Sequence, residues 1–564
     1  MREDLPAAIN WMNWGGEALA AAREADRPLA VFALAACDHW AAQWLRELAA
    51  DAEVCALLAE QYVCVAIDPA DAPSLAARIQ QILGLHGAQG WPAVAVAVPS
   101  GHFVGGVPYA PLRDADKRVG LARVLLDCAQ VWTEASDDLR HDAAAIADIL
   151  SQMAARSAEG SLPPLRLSLE RIEAEAMHVA DEIEGGFGPA PRFLQPGLLR
   201  FVLSRCASVP ALRKQCEKTC DALLAGGVHD HLGGGFFHGA TDQAWCRPFA
   251  DKRLADNALA ADLLLEAQAA LGGERYRAAA EGAVGFVLQA LLDKRGLAAT
   301  GIHADSPGAD GSPVEGAYYA WSDNAAAEVV GRKQADIFAR RYLCDERSAI
   351  DGDAVFRIPA LRGEVAEAER DQLPAICQRL LVARSERPAP ALQAIYRADE
   401  QGMLLWALAR LAAASDTDST WHQGGQTVAA AIQRELSDAD GGLLHSPGGV
   451  AATMADGAWC ARGGLAWAAV VNDTALRDQA LRWLAAAEAA GSDPSIDPPV
   501  ALVCDSLEQP APLAVLAAGC LDAHRASGEA AWRARAEAIV QGHAGVLRAA
   551  PQAASALAAV WAEL

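Results

Sequence analysis

The residues best equipped for chemistry lie in one stretch, "GGVHDHLGGGFFHGATDQAWCRPFADKRLADNALA", from Gly226 to Ala260. It gathers His229, Asp230, His231, His238, Asp242, Trp245, Asp251, Lys252, Asp256 and Asn257 around Gly233, Gly234 and Gly235. Neighbouring Asp230 and His231 can work as an acid/base pair if both face one cavity. The glycines permit positive φ and close backbone approach to a ligand. A second stretch, "GIHADSPGADGSPVEGAYYAW", adds His303, Asp305, Asp310, Glu315 and Trp321. Carboxylates, amides and an aromatic face together suit a hydroxyl-rich small molecule, a sugar or polyol. The catalytic candidates are therefore His231, Asp230, Lys252, Asp256 and Glu315. The binding candidates are Gly233, Gly234, Gly235, His238, Trp245, Asn257, His303, Asp305 and Trp321. Epimerisation would need a base and an acid flanking a carbonyl-activated carbon. Retaining hydrolysis would need two carboxylates about 5–5.5 Å apart.

Every one of these residues also has a structural use. Asp256 and Asn257 open the apolar run "ALAADLLL" and can cap its helix. Asp230 can order the glycine loop by accepting backbone amides, Lys252 can pair with Asp251 or Asp256, and His231 can be a buried, hydrogen-bonded ring. Burial decides between the two uses. Each buried polar group left unpaired costs about 1–3 kcal/mol, and a loop with three glycines resists being ordered as a frame for ten of them. This favours a solvated pocket in which His231 and at least two of Asp230, Lys252, Asp256 and Glu315 share one cavity.

The elements that must hold such a site are mostly helices. The chain has 564 residues, 52% of them hydrophobic, with mean hydropathy +0.10, which is enough for several domains and a large core. From about residue 136 onward, runs such as "LLWALARLAAA" repeat apolar residues at helical spacing. Roughly a dozen such helices suit pairs closed into a toroid, with a loop-lined pocket at one end. No fixed-period repeat marks an open solenoid. Residues 1–135 read differently, as β-α-β-α-β-β around the apolar strands "PLAVFALAA", "YVCVAID" and "WPAVAVAV". The fold class expected is thus an α/β domain at 1–135, a linker helix at 136–160 and an all-α toroid at 161–564.

Composition narrows the partners. A formal net charge of −25 repels nucleic-acid phosphates and anionic membranes, so a small-molecule ligand is expected and neither nucleic acid nor membrane is. The N-terminus lacks an apolar signal core and the cytosol is the expected location. The 13 cysteines are scattered and read as small buried hydrophobes. Cys216 and Cys220 lie one turn apart without a second ligand pair, so no metal is expected, and no cofactor motif is present.

Cys37 follows a strand and precedes a helix, where amides and the helix dipole favour a thiolate. The Trp91-Pro92 turn would sit opposite, with a cis bond. Position 40 is Trp40, however, so a resolving thiol three residues on is missing and dithiol exchange by the usual route is closed.

"NWMNWGGEALAAAREADRPLAVF", "GWPAVAVAVPSG", "GGVHDHLGGGFFHGATDQAW" and "HADS…EGAYYAW" resemble the spermatogenesis-associated protein 20 family over nearly the whole chain. The resemblance implies a thioredoxin-like domain fused to a six-hairpin (α/α)6 toroid, similar to sugar 2-epimerases and several glycosidases. It also exposes departures. The family's Cys-His-Trp-Cys-His is "CDHWA", its Pro-His-Phe-Glu-Lys is "PFADK", its Trp-Asn-Gly is "EQG" at 400–402 and its Pro-Ser-Gly-Asn is "PAPL" at 510–513. Three readings follow: an epimerase-, isomerase- or hydrolase-like pocket with a redox-inactive first domain, a non-catalytic binding or scaffold protein, and a monothiol redox or chaperone role through Cys37.

Overall fold

The computed structural model describes residues 5–564 except 116, 309, 351–352, 359–366, 491–495, 499 and 501. It divides into two compact units, residues 1–158 with 492–502 and residues 159–491 with 503–564.

The first unit runs β1 (Trp11–Met12), α1 (Gly16–Ala25), β2 (Leu29–Ala33), α2 (His39–Ala50), α3 (Ala52–Gln61), β3 (Val63–Ile67), α4 (Pro73–Leu85), β4 (Ala93–Ala97), β5 (Phe103–Pro108) and α5 (Leu121–Ala158). Its sheet has the order β1-β3-β2-β4-β5. Val31 of the central strand faces Val65 in parallel and Ala95 antiparallel. Every residue of β2 and β4 is buried, because helices cover both faces of the sheet and only continuous apolar runs satisfy that. This is the thioredoxin-like arrangement.

The boundary expected at residue 135 coincides with a kink, since Ala135 leaves helical geometry inside α5 (φ −150, ψ 49). The segment beyond it, expected as a separate linker helix, keeps an apolar face and buries Ala143 and Leu150 with the first unit. That unit also takes in residues 492–502, which no periodicity announces. Ile496 and Val500, each 4% exposed, join Leu75, Ile79 and Leu83 in one core, and the Arg78 guanidinium donates to the Pro498 carbonyl. Ile496→Val should therefore lower the stability of the thioredoxin-like unit by about 1 kcal/mol. Urea unfolding followed at that unit's tryptophans checks this, and an unchanged midpoint would mean that the segment only lies on the surface.

The second unit continues α6 (Leu165–Val179), α7 (Pro196–Arg205), α8 (Pro210–Ala225), β6 (Lys252–Arg253), α9 (Leu254–Leu271), α10 (Glu274–Phe286), β7 (Gly301–Ile302), β8 (Asp305–Pro307), β9 (Pro313–Glu315), α11 (Asp323–Val330), α12 (Arg332–Arg341), β10 (Ala349–Ile350), β11 (Asp353–Ala354), α13 (Glu367–Arg370), α14 (Leu373–Ser385), β12 (Leu392–Gln393), α15 (Ala398–Ala412), α16 (Thr420–Glu435), α17 (Met454–Val471), α18 (Thr474–Ala490), α19 (Pro512–Ser527), α20 (Ala530–Gly542), α21 (Ala544–Ala549) and α22 (Ser555–Glu563). Helices α7, α9, α15, α17, α19 and α22 each pack on the next, and α22 returns to α7, closing a ring. Between them, α8, α10, α16, α18 and α20 pack outside consecutive inner helices, and α6 touches α7 and α22. This is a six-hairpin toroid.

Sequence explains which helices lie inside. Along α9 every residue from Leu254 to Leu265 is buried, as an inner helix requires. Outer α8 buries only Leu212, Gln215, Cys216, Thr219, Cys220 and Leu223, a single stripe at helical spacing. Helices α11 and α12 were not anticipated, because Gly331 breaks their run into two short pieces.

Candidate functional site

In the first unit the helix cap differs from expectation. Asp38, not Cys37, caps α2, its Oδ1 accepting the Trp40 and Ala41 amides at 2.6 and 3.3 Å. A carboxylate is the stronger acceptor for those orphan amides, so the Cys37 sulfur is not the group that holds them. Cys37 is buried, 3% exposed, and Trp91-Pro92 is cis. Trp40 stands where the family has its second cysteine and packs on Tyr109, with ring centroids 4.6 Å apart.

In the second unit the glycine loop sits on a buried ion cluster. Asp230 accepts Lys252 Nζ at 2.9 Å and Arg384 Nη1 at 2.8 Å, together with the Leu232 and Gly233 amides at 3.1 and 3.0 Å. Burial pushes the Asp230 carboxyl up, but Arg384 and Lys252 outweigh it and hold it well below the usual carboxylate range. Lys252 also donates to the Gly234 carbonyl at 2.7 Å and lies 3.9 Å from the Phe286 ring centre. Burial lowers its pKa to about 8 despite the pairing. Asn257, fully buried, clamps the next residues, accepting the Phe236 amide at 2.7 Å and donating to the Phe236 and Arg253 carbonyls. Gly235 is at φ +75, and a Cβ there would meet Asn257 and Phe286 at 2.8 Å. The glycines thus let the loop lie flat on Asn257 and Lys252.

His231 stands apart from this cluster. Its Nε2 lies 3.0 Å from the Gly226 carbonyl, and burial with neighbouring His229 lowers its pKa to about 3. It is a neutral ring packed among His229 and Tyr342.

His238 has the opposite character. Its Nδ1 is 2.8 Å from Asp256 Oδ2, and its Nε2 is 3.7 Å from Glu508 Oε1. Burial and Arg253 press the imidazolium pKa down, but Asp256, Glu508 and Asp251 overcome them and raise it to about 10. Arg253 extends the chain of charges, binding Asp251 at 2.6 Å and Glu508 at 3.5 Å. The adjoining cavity measures ≈ 30 Å³, and its wall takes His238, Trp245 and Asp256 from the candidates. Leu199, Leu223, Phe236, Phe237 and Leu263 line much of the rest. His231, Asp230 and Lys252 do not line this cavity; Asp230 and Lys252 are spent on each other and on backbone. Phe249, which replaces the family's histidine, stacks on Phe193 at 5.7 Å.

The remaining candidates disperse. His303 Nδ1 accepts the Asp305 amide at 2.9 Å, and Glu315, half-buried, accepts the Ala250 amide at 3.3 Å. Asp310 closes its own turn on Ser312. Trp321, 2% exposed, belongs to an apolar core with Phe338 and Phe356, and Trp245 donates to the Gly185 carbonyl at 3.3 Å.

A second polar cluster, missed in the sequence, lies where α15 and α17 begin. Asp456 Oδ1 accepts the Asp399 amide at 3.0 Å, and its Oδ2 is 2.8 Å from His445 Nδ1. Burial and Asp456 raise the Asp399 carboxyl to about 6. Beside it, Glu400 accepts the Thr300 hydroxyl at 2.7 and 2.8 Å, and Arg397 donates to Thr300 at 2.7 Å. The available signal was the pair of first-turn acids in "ADEQGMLLWAL" and "MADGAWCARGG", each opening an apolar run.

Residues 1–151 match the Thioredox_DsbH family, described as a protein of unknown function, DUF255. Spermatogenesis-associated protein 20 of Homo sapiens is 26% identical over 434 residues, covering 70% of this chain and 55% of that one. The chain is thus similar to spermatogenesis-associated protein 20, and its first 151 residues to the DUF255 family. The Mus musculus member is 27% identical over 325 residues, 56% of this chain and 41% of that one. The chain spans about half the length of the curated relatives it matches. Solved structures of partial likeness include a GH76 α-mannanase of Bacteroides thetaiotaomicron, with TM-score 0.42 and 10% identity, covering 71% of this chain and 95% of that one. Another is a sugar epimerase from a ruminal bacterium, with TM-score 0.41 and 12% identity, covering 66% and 84%. Among the described residues no helix is long and apolar enough to cross a membrane.

Proposed function

We propose that this protein is a non-catalytic binding or scaffold protein, in which both candidate sites have been turned to structural use. One observation carries the reading. The acid/base side chains of Gly226–Ala260 are consumed in internal pairs, Asp230 by Lys252 and Arg384, and His238 by Asp256 and Glu508. A general base must be free to accept a proton near neutrality. Asp230 and Glu508 are held too acidic for that, and His238 stays protonated well above neutrality. The adjoining ≈ 30 Å³ cavity has room for a water or two and none for a sugar.

A panel of sugars and sugar phosphates should accordingly leave the melting temperature of the full chain unchanged, and insulin reduction should show no turnover. A melting shift of several degrees with one sugar, or turnover lost in Cys37→Ala, would overturn the proposal.

One observation favours the epimerase- or hydrolase-like reading instead. Asp399, held at about 6, can lend a proton at neutrality, and Glu400 follows it at the start of α15. Under that reading Asp399→Asn abolishes whatever turnover a sugar screen detects while leaving the melting temperature intact.

A further inference from the structure

Between α7, α17, α19 and α22 lies a cavity of ≈ 70 Å³, half-open at the end that carries the exposed Arg525 and Glu563. One part of its wall is small and apolar, formed by Ala514, Ala518, Ala556 and Ala559, and the other carries Arg200, Arg462 and Arg525. These charges sit in a balanced set, buried at Arg462, Asp522 and Asp262 and exposed at Arg525 and Glu563. Arg200 and Arg410 both bind Asp262 and reach Glu266. Arg525 binds Asp522 at 3.1 Å and Glu563 at 2.5 Å.

Arg462 is different. It is 6% exposed, and its Nε donates to Asp522 Oδ2 at 2.8 Å. Its guanidinium carbon lies 4.2 Å from the Trp406 ring centre and 5.4 Å from that of Trp459. Among the described residues neither terminal nitrogen makes a hydrogen bond to protein, although Arg462 borders the cavity. An arginine more than nine-tenths buried therefore keeps the end-on edge of its planar fork unused, fixed in orientation by two indoles and a carboxylate. That edge matches a carboxylate bidentately.

We infer that this cavity binds a short-chain aliphatic monocarboxylate, its carboxylate on the free edge of Arg462 and its alkyl tail against Ala514, Ala518 and Ala559. The wall decides the class of ligand. A hydroxyl-rich molecule would leave its hydroxyls against alanine, and a long acid would not fit. Charge decides the valence. Arg200, Arg410, Arg462 and Arg525 face Asp262, Glu266, Asp522 and Glu563. That set is balanced, four against four, so a bound monocarboxylate adds one excess negative charge whereas a dianion such as phosphate adds two. The inference does not depend on whether the polar cluster at the mouth of the ring is catalytic.

Saturation-transfer NMR on the full-length protein, with propionate titrated at fixed ionic strength, tests this. Wild type should give a saturable methyl signal that inorganic phosphate does not compete away. Arg462→Lys, which keeps the charge but loses the fork, should weaken binding at least tenfold. Ala518→Leu, which fills the apolar end without touching Arg462, should do the same and decides the matter if the lysine variant fails to fold. No saturable signal in wild type, a signal equally displaced by phosphate, or wild-type affinity in Ala518→Leu would overturn the assignment.

Discussion

Asp230→Asn should destabilise the helical unit by about 3–5 kcal/mol, the usual consequence of breaking a buried ion pair from one side. The substitution preserves shape and volume but leaves Lys252 and Arg384, with side chains 1% and 6% exposed, sharing one interior without a counter-charge. Lys252 has an escape, since burial already holds it at about 8 and it can release its proton. Arg384 has none, because guanidinium does not deprotonate in proteins. The Leu232 and Gly233 amides also lose a charged acceptor, which loosens the glycine loop. Urea unfolding of the variant measures the loss directly. A catalytic Asp230 predicts the reverse, a folded protein of near-normal stability, so a loss below about 1 kcal/mol would remove the cluster from its structural role. The replacement of all three partners by apolar residues of similar volume should recover part of the loss, because no uncompensated charge then remains.

The toroid was legible because its burial demands are written in periodicity. Inner helices are buried on every side, and runs such as "LADNALAADLLL" are mostly apolar, with Asp256, Asn257 and Asp262 buried through polar partners. The sheet was legible for the same reason in β2 and β4. Short elements and polar partnerships were not. Residues 492–502 contribute Ile496 and Val500 to a core with Leu75, Ile79 and Leu83, more than 400 positions earlier in sequence, and no local pattern encodes that pairing. The site illustrates the same limit. The sequence leads one to expect unpaired polar groups around Gly233–Gly235, because pairing looks too costly for so flexible a loop, yet Asp230 is paired with Lys252 and Arg384. The loop escapes that cost because its polar partners arrive from parts of the chain far away in sequence. Arg384 comes from α14, 154 residues away, and Glu508 lies 270 residues beyond His238, since 508 − 238 = 270. Spacing along a chain cannot announce a counter-ion that remote, so free acid/base groups and buried ion pairs look alike until the fold is known.

The His238 pairing should be visible as a pH dependence of stability. In the folded chain its imidazolium is held at about 10, against an ordinary 6.5. Because the folded value is the higher one, the stabilisation is fully present below about pH 6.5 and is lost as pH rises through about 10. A shift of that size corresponds to about 4–5 kcal/mol at most, taking about 1.4 kcal/mol per unit. Lys252 works against this trend. Its folded value of about 8 lies below the ordinary 10.5, so it adds stability as pH climbs between those values. The raw curve therefore mixes both groups, and the difference between wild type and His238→Gln isolates one. Glutamine keeps a donor toward Asp256 Oδ2 but cannot carry charge between Asp256 and Glu508. Urea-unfolding free energies at pH 6.5, 8 and 9.5 should show the wild-type advantage shrinking by several kcal/mol across the series. Parallel curves would mean that His238 is neutral in the folded chain. Asp256 and Glu508 would then be two carboxylates without a cation between them, and the base that the non-catalytic proposal denies to this site would be present.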